Sequence, residues 1–184
     1  MTDKPKLIAI AAVAVDGTIG IDNEIPWRIL EDFKHFRETT MGGMLIVGAV
    51  TYHTLPDKAF EGREYIVLNK GERFVPKEGR KVYQFSDIDL MLMLLNNLHI
   101  DKVFVAGGAS IYEALIDYCD EAIITVVNLF PDGNKFFPVG KLMNDFEILS
   151  EDSMTWLKSK MGTEYKIVHY KRKQNLYDKQ TEIQ

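Results

Sequence analysis

The chain has 184 residues, 46% of them hydrophobic, with a net charge of −5 and a pI near 5.4. That is enough for one domain with a full core, and the acidic balance leaves no basic footprint for nucleic acid or an anionic membrane surface. One cysteine, Cys119, allows no internal disulfide, no apolar run reaches membrane-spanning length, and the polar start "MTDKPK" lacks a signal-peptide core, so a soluble, cytoplasmic protein is expected.

Strand-like apolar runs recur at 6–15, 44–48, 64–69, 81–85, 102–107 and 121–127, with two late ones at 146–149 and 165–171. Several are apolar on both faces, as strands covered by helices on two sides should be. Helical patterns lie between them at 29–39, 50–55, 87–98 and 110–117, the third opened by a capping-box pattern at Ser86 and Asp89. This alternation predicts an α/β fold: one domain over residues 1–173 with a mainly parallel central sheet flanked by helices. After residue 120 the helices stop, so the sheet should finish with a C-terminal antiparallel hairpin, and residues 174–184 form a polar tail.

The helix at 29–39 poses the first chemical question. Ile29, Phe33 and Phe36 fall on one apolar stripe, and Asp32 sits among them with no Arg or Lys on the same stripe. An acid in the first turn suits the helix dipole, but Glu31 already fills that role on the outer face. Asp32 facing inward costs desolvation unless a partner meets it. A flat, largely apolar ligand with an N–H/NH₂ edge could engage both carboxylate oxygens.

Two strand-to-helix turns are the second signal. "VFVAGGASIYEAL" passes through Gly107-Gly108, and "LIVGAVTYHTL" through Gly48 with a hydroxyl at Thr51. In parallel sheets, ligands bind beyond the carboxyl ends of the strands, where glycines let a backbone approach a phosphate. Neither turn is G-x-G-x-x-G or carries a Walker lysine, and no G-x-S-x-G elbow is present. His35, His53, His99 and His169 lack metal-ligand spacing, so no metal is expected. The methionine-rich stretch at 90–98 reads as a core face, and Lys171, Arg172 and Lys173 as a solvated run.

"AVAVDGTIGIDNEIPWRILEDFKHF" resembles the N-terminal signature of the dihydrofolate reductase family, and the resemblance continues through Gly48 and Thr51, Gly62-Arg63, "VAGGASIY" at 105–112 and Thr125. It implies NADPH-dependent reduction of 7,8-dihydrofolate to tetrahydrofolate by a protein acting as a monomer. Under it, Asp32 holds the 2-amino group and N3 of the pterin and supports protonation at N5, with Trp27 supporting a nearby water. Thr125 bonds the same carboxylate and ring, while the Ile10 and Ala106 carbonyls face the other side of the pterin edge. Phe33, Phe36 and Leu55 sandwich the rings, and Arg63 pairs fork to fork with the α-carboxylate of the glutamate tail. Ala11 and Tyr112 also belong to the substrate side. The cofactor side comprises Ala12, Ile19, Gly20, Gly48, Ala49, Thr51, Asn69, Lys70, Gly107, Gly108, Ala109, Ser110 and Ile111. The loop from Asp16 to Pro26 closes over the nicotinamide.

This chain departs from the family where arginines commonly serve the cofactor 2′-phosphate: Ala49 and Ser110 stand there instead. Asn69 and Lys70 are the candidates to compensate. The family's acidic residue after Thr125 is shifted or replaced around Asn134 and Lys135, which makes different closure of the Asp16–Pro26 loop an expectation. Two alternatives stand beside the reductase: a pyrimidine reductase of riboflavin synthesis, which should lack the Trp27–Asp32–Arg63 set, and a non-catalytic pterin-binding or assembly protein.

Overall fold

The computed structural model describes residues 4–71, 74–98, 100–149 and 155–174. His99, one of the four histidines weighed above, and residues 175–184 of the polar tail lie outside them. The strands are β1 (Lys6–Ala14), β2 (Thr18–Gly20), β3 (Met44–Gly48), β4 (Glu64–Leu68), β5 (Val82–Phe85), β6 (Lys102–Val105), β7 (Glu121–Val127), β8 (Lys135–Phe136), β9 (Phe146–Ile148), β10 (Leu157–Lys158) and β11 (Glu164–Arg172). The helices are α1 (Leu30–Thr39), α2 (Ala49–Thr54), α3 (Ile88–Leu95), α4 (Ala109–Leu115) and α5 (Val139–Asp145).

The main sheet runs β10-β11-β7-β1-β6-β3-β4-β5, with β9 also on β11. From β7 to β5 every pairing is parallel, and β11 is antiparallel to β7, β9 and β10. The mainly parallel sheet and the C-terminal hairpin are therefore present.

Successive side chains of a strand point to opposite faces, and the core divides accordingly. Leu7, Ala9, Ile46 and Ile66 pack on one face with Met91 and Leu95 of α3, Ile111 and Leu115 of α4, and Leu142 of α5. Ile8, Ile10, Leu45, Val47 and Val67 pack on the other with Tyr52 of α2, Phe60 and, partly, Phe36 of α1. Each fully buried Leu, Ile or Val contributes about 1.5–3 kcal/mol relative to exposure.

Three local expectations need correction. Helices do not stop after residue 120: α5 follows Pro138, where the fixed φ of proline suits a helix start. The capping box is not used at α3, because Asp87 is the N-cap and its carboxylate accepts the Leu90 N–H at 2.8 Å; a carboxylate in that position satisfies the orphan donor directly. The methionine-rich stretch is only half core, since Met91 and Leu95 are buried while Leu90, Met93 and Leu94 are exposed. A helix on one face of a sheet buries one side only.

Candidate active site

α1 departs most from its sequence pattern. Ile29, just before it, is buried, and Phe36 is partly buried, but Phe33 is 45% exposed and α1 itself contributes no fully buried residue. The inward stripe thus fails at Phe33. The helix is anchored near its ends, by Ile29 ahead of the first turn and by Phe36 and Thr40 at the last. Thr40 is buried, and its N–H and hydroxyl both donate to Phe36 O, at 3.1 and 2.7 Å. In the middle of the helix Asp32 is half-buried and Phe33 exposed.

Asp32 has lost much of its water. Burial raises its carboxyl pKa above the usual carboxylate value, against the smaller opposing effects of a hydrogen bond with the Thr125 side chain and the nearby His35. Thr125 is buried on β7 and pairs with Ala12 of β1 on one side and Ile167 of β11 on the other. Among the described residues no Lys or Arg forms an ion pair with Asp32. Trp27 packs with Ala14, Ile29, Val127 and Tyr165, and its buried indole N–H has no acceptor among the described residues. A buried donor without a partner costs about 1–3 kcal/mol, so the position suits a water or ligand atom that accepts.

Tyr112 joins this group from α4. Its hydroxyl donates to Ile10 O at 2.7 Å, its ring packs on Phe137, and burial with the Asp32 charge in range drives its pKa far up. The Ile10 carbonyl is therefore partly engaged within the chain and keeps one lone pair for another donor. Ala106 donates its own N–H to Ile46 O at 2.9 Å, while Ala11 and Ala12 are half-buried on β1 beside this cluster.

Arg63 behaves differently from expectation. Its Nε donates to Thr40 Oγ1 at 2.8 Å, Nη1 to Ala59 O at 3.1 Å and Glu61 O at 3.0 Å, and Nη2 to Arg37 O at 2.8 Å. A guanidinium has five N–H donors, and these four are turned into the protein. A fork-to-fork grip needs two free N–H groups, so the expected two-pronged contact is replaced by one remaining Nη2 N–H. The charge has no carboxylate partner among the described residues. Leu55, whose carbonyl accepts from Lys77 Nζ at 2.5 Å, and Phe36 are half-buried on the same face of the sheet.

The two glycine turns become neighbours because β3 and β6 are adjacent. Gly48 N–H donates to Gly107 O at 2.8 Å. Gly107 has φ +97°, and a Cβ there would lie 2.9 Å from the Tyr112 ring; a Cβ at Gly108 would lie 3.1 Å from Thr51 Oγ1. Glycine is required at Gly107, while a side chain at Gly108 would press on Thr51 and narrow the cradle. Ala49 and Ala109 open the two short helices here, with Ile111 buried behind them and Ser110 exposed. Asn69 N–H donates to Phe85 O at 2.9 Å at the end of β4, and Lys70 beside it is exposed.

The loop after β1 is tied down by a contact that the sequence did not reveal. Asp22 N–H donates to Asn134 Oδ1 and Asn134 Nδ2 to Asp22 Oδ1, both at 2.8 Å. β2, which carries Ile19 and Gly20, pairs with β8. A Cβ at Gly20 would lie 3.1 Å from Glu24 O, and one at Gly133 would lie 2.2 Å from Thr18 Cγ2. The residue that departs from the family pattern is thus itself the tether. A hollow of about 510 Å³ lined by Ile21, Asp22, Asn23, Glu24 and Pro26 belongs to this loop and includes none of the residues around Asp32. His35, from α1, is the other missed neighbour of Asp32; its i+3 spacing was the available signal.

The family model for dihydrofolate reductase matches residues 6–172. The dihydrofolate reductase of Mycoplasma genitalium is 33% identical over 134 residues, covering 72% of this chain and 83% of that protein. The enzyme of that name from Neisseria meningitidis is 32% identical over 167 residues, covering 91% of this chain and 98% of that protein. A dihydrofolate reductase from Enterococcus faecalis, solved complexed with NADP(H) and RAB-propyl, superposes with a TM-score of 0.77 at 23% identity, covering 93% of this chain and 98% of that one, and so shares the fold. With the family's match running from the first strand to the last, the chain belongs to the dihydrofolate reductase family.

Proposed function

We infer that this chain reduces 7,8-dihydrofolate to 5,6,7,8-tetrahydrofolate with NADPH, supporting one-carbon metabolism and thymidylate synthesis. The observation that carries this is Asp32: a desolvated carboxylate with the Thr125 hydroxyl at hand and no Lys or Arg paired to it among the described residues, next to an exposed phenylalanine. A pterin edge offers an N–H/NH₂ pair for the carboxylate and a flat ring for Phe33. The Trp27 indole, a buried donor, is suited to a water that passes a proton towards N5.

The cradle of Gly48, Gly107 and Gly108 with Thr51 fits a dinucleotide lying across the two turns, with Ala12, Ile19, Gly20, Ala49, Ala109, Ser110 and Ile111 around it and Asn69 and Lys70 toward its adenosine end. Bound there, NADPH supplies the hydride for C6. The chain's residues contribute orientation, exclusion of water by the 16–26 loop and retention of charge at Asp32. Overall, dihydrofolate, NADPH and one proton become tetrahydrofolate and NADP⁺.

The proposed catalytic unit is a monomer spanning residues 1–173, with 174–184 outside it. The single buried cysteine suits a reducing cytoplasm. Among the described residues no helix is long and apolar enough to cross a membrane. Steady-state NADPH oxidation with dihydrofolate tests the activity: turnover that depends on both substrates and yields tetrahydrofolate is expected, and ligand binding without turnover would support the non-catalytic alternative.

A further inference from the structure

The reaction as described uses none of the histidines, yet the fold brings two of them together beside the acid. His35 stands one turn after Asp32 on α1, and residues three apart on a helix are neighbours. His169 lies on β11 opposite Ile123 of β7, with its ring centroid 6.5 Å from that of His35 and the planes at 68°. His35 Nε2 is buried and has no hydrogen-bond partner among the described residues. The site's carboxylate therefore has an imidazole one turn away, and that imidazole faces another.

The charged and titratable groups around the pair come from four elements. His35 is influenced by Asp32 and Glu38 of α1 and by His169 of β11. Asp32 meets the Thr125 hydroxyl from β7 and lies within electrostatic range of Tyr112 from α4 and Tyr165 from β11, the latter also near Glu31.

We propose that His35 is a positioning residue for Asp32: as pH falls it takes up a proton ahead of the carboxylate, and the resulting imidazolium keeps Asp32 ionised and aimed at the substrate. The role rests on Asp32 being the acid that holds the pterin. Burial pushes the His35 pKa down and that of Asp32 up, which brings their titrations towards each other. The two titrations are then coupled, so a change at one group displaces the other. His169 works in the opposite sense, because a charged imidazole beside it disfavours charge on His35.

The two histidines should accordingly have opposite effects. In His35→Gln the first proton has only Asp32 to go to, and the Asp32 titration moves to higher pH. One unit charge at i+3 spacing, screened as in water, changes the ionised-to-protonated ratio of Asp32 at a given pH by roughly threefold. In His169→Leu, His35 charges more readily, and the Asp32 titration moves to lower pH.

The test is a ¹³C NMR titration of the Asp32 carboxyl, with the His35 ring followed in the same samples, in wild type and both variants. The acid limb of the kcat/KM profile for dihydrofolate, normalised to each protein's own plateau, is measured alongside. The expected result is His35 protonating before Asp32 in the wild type, with opposite displacements in the two variants and acid limbs that follow. Asp32 protonating first in the wild type would overturn the proposal, a measurement that needs no variant to fold. So would an unmoved Asp32 titration in His35→Gln, or displacement of both variants in the same direction. Because the NMR titration needs no turnover, a wild type that fails to reduce dihydrofolate would sink the proposed function while leaving the coupling to be decided separately.

Discussion

Asp32 is costly for the fold, and the proposed site gives that cost a use. Its carboxylate is desolvated and its folded-state pKa lies above the usual carboxylate value of 3.8. A raised carboxylate pKa means that the folded state binds the proton more tightly than the unfolded one, so ionisation costs stability at neutral pH and the cost fades as pH falls through the folded pKa. Asp32→Asn should therefore melt at or above the wild-type temperature at pH 7, with the gap narrowing toward pH 4 in thermal melts. Its turnover near neutral pH should fall by roughly 100-fold or more, the scale of a lost proton-transfer group. At Arg63 the balance is reversed, since four hydrogen bonds join the end of α1 to the Ala59–Glu61 turn. Arg63→Leu should lower stability by about 1.5–3 kcal/mol or more in denaturant melts, and should weaken dihydrofolate more than a small antifolate lacking the glutamate tail. At Lys70, an exposed point charge, Lys70→Ala should bring the KM values for NADPH and NADH closer by roughly fivefold or less at low salt, with turnover at saturating cofactor nearly unchanged. An unchanged NADPH-to-NADH ratio would mean that the 2′-phosphate is read elsewhere.

At the scale of elements, the loop after β1 is positioned by a neighbour remote in sequence. The reciprocal pair between Asp22 and Asn134 and the β2–β8 pairing join the segment that should cover the nicotinamide to the segment after β7. Each hydrogen bond contributes about 0.5–1.5 kcal/mol net, nearer the low end where exposed. Asn134→Ala should leave the melting temperature within a few degrees of wild type. Amide exchange at Asp22 should accelerate, and KM for NADPH should rise. An unchanged exchange rate at Asp22 would show that β2–β8 holds the loop unaided. α1 is governed in a similar way: its periodicity is legible in Ile29, Phe33 and Phe36, yet anchoring near its ends leaves Phe33 exposed. α5 was not legible, because it opens on Val139-Gly140 directly behind Pro138, and a proline–glycine pairing reads equally well as a turn.

Across the whole molecule, the parallel sheet turns two weak local signals into one site. β3 and β6 are adjacent, so Gly48 meets Gly107 and Thr51 meets Gly108, although neither turn alone resembles a nucleotide motif. Gly107→Ala should destabilise the protein and remove cofactor binding, read by thermal melts with and without NADPH. It forces a side chain into φ +97° and against Tyr112, and overpacking alone costs about 1–3 kcal/mol. The sequence by itself determined the α/β class, the strands with both faces covered and the family, and it singled out Asp32 as the candidate acid, because continuous apolar runs, glycine turns and a carboxylate on an apolar stripe are local patterns that survive without neighbours. Only the tertiary structure decided that Arg63 is turned inward, that Asn134 tethers the loop and that His35 meets His169 beside Asp32. Those outcomes depend on which atoms the chain brings within hydrogen-bond or Coulomb range across long sequence separations, and spacing along one segment carries no information about them.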